Sequence, residues 1–297
     1  MRIAELEVGK HRRDVVNQHP CFGAVRNKAR MHLPICPSCN IECAFCRRSL
    51  NDDENRPGVS AFILPVDEVS EYVDYALKAC DALSVIGVAG PGDTLVGDNL
   101  FKAFLRLNET HPDLLKCMST NGLLLNERAD ELIEIGIDTL TVTVNAVDPH
   151  VLKQIVPAIH YHGERIEGAR GARILIRNQI AGITKMAEAG TTIKVNTVLV
   201  PGVNDSHVEN VAEAVRKAGA SIFNIIPLIP QHLLSNIAEP SCGEIEAARA
   251  AAAKHIDVFR HCQRCRADAI GIPGLEDHAS TVLGKYYGKV EEVFSHG

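Results

Sequence analysis

Tryptophan is absent from this chain of 297 residues, and aromatic residues make up only 4% of it. A core of stacked rings is therefore excluded, and the interior must be built from Ile, Leu, Val and Ala. Hydrophobic residues reach 46%, which is enough for a large core in one domain. No apolar run approaches the roughly 20 residues that a membrane-spanning helix needs. Basic residues are not in excess either. The net charge of −6 gives no general attraction to nucleic acid or to an anionic membrane, so neither is expected as a partner. The first residues, MRIAELEVGKHRRD, carry charges where a signal peptide requires an apolar stretch, and a cytoplasmic location is expected. There is no internal repeat, low-complexity segment or linker. In a reducing compartment disulfides are disfavoured, so the ten cysteines point to metal chemistry.

The most informative of these cysteines are Cys39, Cys43 and Cys46, in CNIECAFC. Their C-x3-C-x2-C spacing holds three thiolates on one tight loop. Three thiolates can ligate three irons of a cubane cluster and leave the fourth open to a small molecule, whereas electron-transfer clusters use four cysteines. Zinc loops pair C-x2-4-C knuckles and total four ligands, which this run does not. An apolar stretch, Met31 to Ile35, precedes the loop, and Phe45 stands just before its last cysteine. The pattern resembles the radical S-adenosylmethionine (SAM) superfamily. That resemblance implies a [4Fe-4S] cluster whose open iron chelates the amino and carboxylate groups of SAM, with Phe45 in the SAM-binding motif.

Apolar runs alternate with helix-period stretches from about residue 30 to 260. Strands are expected over 30–35, 83–89, 114–119, 139–145, 193–200 and 221–226. Helices are expected over 66–80, 99–110, 127–135, 172–189, 206–218 and 243–259. Such alternation specifies a parallel sheet with helices outside. The fold class expected is α/β, a partial (β/α)6 barrel of the radical SAM type, as a single domain spanning 1–297. Chemistry in α/β barrels gathers at the C-terminal ends of the strands, which is where the cysteine loop falls. Residues 1–29 and 260–297 stand outside the repeat, carry potential ligands, and are expected to fold over the barrel mouth.

Four further strand ends are polar. AGPGDTL follows the second strand, and its Gly90, Gly92 and Asp93 match by place and type the short glycine-rich motif that binds the SAM amino group in radical SAM proteins. A plain β-turn is the alternative for such a tetrapeptide. The third strand ends in Ser119, Thr120, Asn121 and Gly122: Asn-Gly makes a tight turn, the Ser and Thr hydroxyls suit a carboxylate or ribose, and Ser119, Thr120 and Asn121 join the candidate SAM site. Thr143 and Asn145 share one face of the fourth strand, and Lys194, Asn196 and Val198 one face of the fifth. An asparagine among valines needs hydrogen-bond partners, and SAM or an ordered water would supply them. Thr143, Asn145, Asn196 and Val198 therefore join the candidate SAM site. The remaining chemistry-bearing thiols are Cys21, in HPC, Cys117, at the end of the third strand, and the C-x2-C pair Cys262 and Cys265. With His19 they could hold additional clusters, and a zinc site of Cys21, Cys262, Cys265 and His19 is the alternative.

HPCFG, ARMHLPICPSCNIECAFCRR, ENRPGV, GPGD, STNG, VTVNAVDP, NTVLVPGVND, NIIPLIP and RHCQRCRADAIG occur in this order. Together they resemble the NifB family, radical SAM proteins of nitrogenase cofactor biosynthesis. The likeness runs from about residue 15 to 275 and suits the minimal, stand-alone form seen in methanogens. It implies two auxiliary [4Fe-4S] clusters that are fused into an eight-iron precursor, with a SAM-derived carbide and one added sulfur. It further implies that Cys21, Cys262 and Cys265, with His19, hold one auxiliary cluster and that Cys117 helps hold the other. Glu54 becomes a candidate acid/base or iron ligand; a loop carboxylate paired with Arg56 is its alternative. Implied partners are a cluster donor, a reductant protein and the assembly proteins that receive the product. Another radical SAM enzyme with auxiliary clusters, or a non-catalytic iron–sulfur scaffold, are the competing readings. One departure stands out: NifB sequences often have a cysteine where this chain reads Asn51, and Asp52, Asp53 or Glu54 would have to substitute.

Overall fold

The computed structural model describes residues 15–23 and 27–284. The charged run at the very start of the chain and the tail beyond 284 lie outside the described residues. Seven parallel strands follow one another in chain order: β1 (Ala29–His32), β2 (Leu83–Val88), β3 (Leu115–Thr120), β4 (Thr139–Thr143), β5 (Thr192–Leu199), β6 (Ile222–Pro227) and β7 (Asp257–Phe259). An eighth, β8 (Ile270–Gly271), returns antiparallel to β1, with Arg30 opposite Gly271 and Met31 opposite Ile270. Among the described residues β7 and β8 do not pair, so the barrel stays open between them. The six expected strands and the partial barrel are thus present.

The helices form because their apolar residues recur at helical spacing. In α3 (Leu125–Ile135) the buried stripe is Leu125, Ala129, Leu132 and Ile135, and Gly136 ends the helix at φ 80°, a left-handed turn that glycine adopts without a Cβ penalty. With α1 (Val69–Ala79), α2 (Asn99–Thr110) and α6 (Val208–Lys217), it packs on the outer face of the sheet. Strand alternation sorts the other face. Met118, Leu140, Ile193, Val195 and Phe223 join the helix-side core. Arg30, His32, Cys117, Ser119, Thr141, Thr143, Lys194, Asn196 and Asn224 have the opposite parity on their strands and face the barrel interior.

Three expectations need correction. The helix expected over 243–259 is α7 (Cys242–Ala252), and Asp257–Phe259 is a strand. The capping box of Ser241 and Glu244 starts that helix, but the β-prone run from Ile256 to Phe259 pairs with β6 instead of extending it. Between β4 and the long helix α5 (Gly168–Glu188) lies structure that periodicity did not announce. It comprises α4 (Pro149–Ile155), capped by Asp148, and a hairpin, Ala158–Tyr161 with Glu164–Glu167. Finally, the described part of the N-terminal flank does not cover the cysteine-loop end. Ser84, near the start of β2, donates to Gln18 O at 2.8 Å. Val16, Asn17 and Phe22 share a cavity of about 410 Å³ with Thr192, Ser221, Ile222 and Asp257, all at strand beginnings. Residues 15–23 therefore form the barrel floor, while the C-terminal segment runs up the open edge to β8.

Candidate active site

The cysteine loop is held from two sides. Its short strand Ile41–Glu42 pairs with Ala158 and Ile159 of the hairpin. There the Glu42 carboxylate takes two bonds from Arg165, both 2.7 Å, and one contact of 2.8 Å from His160. Arg165 first, then His160, hold the Glu42 carboxyl down at about 2 against a partial burial that raises it. From the other side the GPGD turn is stitched to the loop by main-chain bonds, Gly92 N to Cys36 O at 2.6 Å and Asp93 N to Ser38 O at 2.8 Å. The contact is so close that a Cβ on residue 92 would stand 2.1 Å from Ser38 O. Only glycine fits there.

Asp93 ties this turn to the end of β3. Its buried carboxylate accepts from Thr120 Oγ1 at 2.9 Å, Asn121 N at 2.6 Å and Leu95 N at 3.0 Å. Burial raises its pKa, and these bonds oppose the rise. Asn121 then reaches the loop itself, donating to Asn40 Oδ1 at 2.7 Å and approaching Cys39 Sγ at 3.8 Å. Cys39, Cys43 and Cys46 each keep some surface. Burial pushes the Cys39 thiol up to about 11 and that of Cys43 well up, with the buried Arg48 opposing both. Phe45 packs against the small core under the loop, in which Val198 is buried. Among the described residues the buried Asn40 Nδ2 has no protein partner. A three-thiol loop with an unanswered donor and a glycine-floored turn fits a three-cysteine cluster and a ligand rich in acceptors. The residues that would hold that cluster are Cys39, Cys43 and Cys46, and the turn at Gly90–Asp93 would face SAM.

The other strand ends bring their polar groups to the same end of the barrel. Ser119 and Thr143 are half-buried on the interior face. Asn145 Oδ1 accepts from Val198 N at 2.9 Å, and Asn196 Oδ1 accepts from Asn224 Nδ2 at 3.0 Å. Two of the asparagines expected to face SAM are thus partnered within the protein, and they fix the β4–β5–β6 edge.

Deeper in the barrel lie the second set of thiols. Cys117 is two residues below Ser119 on the same face of β3. Cys21 and Cys265 interact electrostatically with each other, and Cys21 with Cys117. Burial pushes Cys21 up to about 12, while Lys194 opposes it. Arg30 Nη2 donates to Cys265 Sγ at 3.1 Å. Cys262 is exposed, on the open edge. His19 is buried, receives Cys21 N on Nδ1 at 3.1 Å, and has no partner at Nε2 among the described residues. No three His, Cys, Asp or Glu side chains among the described residues gather as a single metal ion requires. Ligands on separate corners of a cubane need not converge on one point.

Glu54 lies in the loop opposite this segment. Its carboxylate pairs with Arg56 and accepts from Asn51 Nδ2 at 3.1 Å. Partial burial raises its pKa, but Arg56 and the Asn51 bond outweigh that and leave it below the usual range. Asn51 Oδ1 also accepts from Glu54 N at 2.9 Å, so Asn51 is the keystone of a closed turn. Sequence reasoning missed what anchors that turn. Arg266 donates to Glu54 O at 2.7 Å and Asn51 O at 2.6 Å, and forks onto Asp268, which is fully buried and accepts from Ala61 N at 2.6 Å. The compact R-A-D within RHCQRCRADAIG was the available signal.

The radical SAM superfamily model matches residues 33–215. The FeMo cofactor biosynthesis protein NifB of Methanocaldococcus jannaschii is 44% identical over 262 residues, which cover 87% of this chain and 87% of that protein. Its counterpart in Klebsiella pneumoniae is 39% identical over 271 residues, covering 88% of this chain but 58% of that longer protein. Among solved structures, a radical SAM methyltransferase from Sphaerobacter thermophilus superposes with a TM-score of 0.56 at 20% identity, over 78% of this chain and 64% of that one. SuiB of Streptococcus suis does so with 0.57 at 11% identity, over 98% and 58%. These two share the fold. The open barrel, the three-cysteine loop stitched to its glycine turn, and the sequence likeness converge: this chain belongs to the radical SAM superfamily and, within it, to the NifB family of FeMo cofactor biosynthesis proteins.

Proposed function

We propose that this enzyme fuses two four-iron clusters into an eight-iron precursor of the nitrogenase cofactor, inserting a carbide from a SAM methyl group and one further sulfur. The observation that carries the reading is the stacking of two thiol sets in one barrel. Cys39, Cys43 and Cys46 occupy the open end, and Cys21, Cys117 and Cys265 lie below, with Cys262 at the edge. A four-iron cluster held by Cys39, Cys43 and Cys46 would supply, with SAM bound, the electron that cleaves SAM reductively. The protein's part is to place SAM against Gly90, Gly92, Ser119 and Thr143, to hold the cargo clusters on the lower thiols, and to keep water out. Cys21, Cys262 and Cys265, with His19, take one cargo cluster, and Cys117 takes part in holding the other. Glu54 is the acid/base group or iron ligand of this reading, reached by displacing Arg56. Asn51, standing where the family resemblance implies a cysteine, leaves the second cargo cluster with fewer thiolates, which suits a group that is consumed and released. A cytoplasmic setting, a reductant protein, a cluster donor and a receiving assembly protein complete the proposal.

The test is anaerobic reconstitution followed by iron counting and SAM cleavage under dithionite. Three four-iron clusters give about twelve irons per chain, and 5′-deoxyadenosine should form. Cys39→Ala should abolish SAM cleavage, whereas Cys117→Ala and Cys262→Ala should lower the iron count. A protein that loads only about four irons, unaffected by Cys117→Ala or Cys262→Ala, would refute the cluster-fusing reading.

A further inference from the structure

We infer that Arg30 and Lys194 form a cationic cradle that binds the anionic cluster cargo inside the barrel and keeps hold of it while its bonds to cysteine change. This rests on the reading of the lower thiols as the cargo site. Both residues face the interior, Arg30 from β1 and Lys194 from β5, and both are only 5% exposed. Lys194 Nζ donates to Cys21 O at 2.8 Å and lies over the rings of Phe22 and Phe259, 4.7 and 5.3 Å from their centroids. Arg30 donates through Nη1 to Gly271 O at 2.9 Å and through Nη2 to Cys265 Sγ at 3.1 Å, while its buried Nε has no partner among the described residues.

Neither cation forms an ion pair among the described residues, and Asp277 acts on Arg30 only from a distance. Arg56, by contrast, pairs with Glu54 and Arg266 with Asp268. Burying a cation without a counter-charge is costly. Two of them facing one lumen form a positive site prepared for a negative guest. A four-iron core of charge 2+ held by three thiolates, as Cys21, Cys262 and Cys265 would hold the first cargo cluster, is net anionic, since the thiolate charges outweigh the core. The lower thiols surround these two cations: Cys21 through its carbonyl on Lys194, Cys265 through its sulfur on Arg30, and Cys117 within reach of Lys194's charge. Any fusion of two clusters must release iron–thiolate bonds before the product can leave. A fixed positive field acts through the low-dielectric interior without a bond that has to break, so it holds the guest through that exchange.

The test uses the Cys39→Ala/Cys43→Ala/Cys46→Ala protein, so that only the lower site reports. Iron is loaded anaerobically, counted, and followed as it is lost to a ferrous chelator. The midpoint potential is read by dye-mediated titration. Lys194→Gln and Arg30→Gln should each lose iron about tenfold faster and shift the potential in the negative direction, because removing a cation destabilises the reduced cluster. Lys194→Arg should restore both. Lys194→Met, which keeps the stem against Phe22 and Phe259, replaces the Gln variant if that one does not fold. Unchanged loss rates and potentials in both charge-removing variants would overturn the cradle. A triple-alanine parent that binds no iron at all would instead overturn the cargo-site reading beneath it.

Discussion

Gly92→Ala isolates the contact on which the cysteine loop depends. The new Cβ would lie 2.1 Å from Ser38 O, 2.5 Å from Ser38 C and 2.9 Å from Cys36 O. All three are main-chain atoms, so no rotamer change relieves them. Separating the segments sacrifices the bonds from Gly92 N to Cys36 O and from Asp93 N to Ser38 O, at about 1 kcal/mol each. Residual crowding adds roughly 1–3 kcal/mol. The sum, about 3–5 kcal/mol, is a large part of the roughly 5–15 kcal/mol that holds a folded protein. It corresponds to a fall in melting temperature of roughly 6–20 °C. Gly97→Ala is the internal control. Gly97 has a left-handed φ of 78°, but a methyl group on its Cα would meet nothing within 4 Å, so it carries only the backbone term of about 1–2 kcal/mol. Thermal unfolding of both apo variants, with iron retention on the loop after reconstitution, makes the comparison. Equal losses of stability in the two variants would refute the reasoning.

Three further outcomes follow from the same geometry. Asp93→Asn leaves an amide oxygen for one of the two main-chain donors, Asn121 N or Leu95 N, and puts an amide NH2 against the other; it should cost about 2–3 kcal/mol, read by urea denaturation. Arg165→Ala removes both bonds to Glu42, whose folded pKa of about 2 lies below its ordinary 4.5. A depressed carboxyl stabilises the fold above its unfolded pKa and loses that contribution as pH falls through the folded value. The gap in stability between parent and variant, small because Arg165 is half-exposed and screened by solvent, should therefore be present at pH 7 and shrink between pH 5 and 2. Asp268→Asn splits a buried pair, at a cost of roughly 3–5 kcal/mol. It should speed cleavage after Glu54 by a glutamate-specific endopeptidase, since the loop then loses its anchor; an unchanged cleavage rate would count against that role.

Much of this site could be read without coordinates because its chemistry is local in sequence. The cysteine spacing, the GPGD turn and the alternation of Thr143 with Asn145 each lie within a few residues, and period 2 alone sends Lys194 and Asn196 to one face. What escaped depends on partners far along the chain. Asn145 meets Val198 across 53 positions, Asn121 meets Asn40 across 81, and Arg266 meets Asn51 across 215. No composition rule supplies such pairings. Asn145 stood out because a buried asparagine must bond something, and its Oδ1 bonds the next strand. The floor formed by residues 15–23 was invisible for the same reason: only the bond from Ser84 to Gln18 and the shared cavity reveal which end they occupy. β7 escaped because an alanine-rich helix leads directly into three residues whose strand character depends on β6 beside them.

The seam between the first and the last strand carries a consequence for biosynthesis. β8 closes on β1 with Arg30 and Gly271 in register, residues 241 positions apart. Contacts of such high sequence separation form late and slowly. A chain leaving the ribosome from its N-terminus has β1 in hand long before the Cys262–Asp268 segment has been synthesised. The lower chamber is therefore finished only once the Cys262–Asp268 segment has left the ribosome and β8 has found β1.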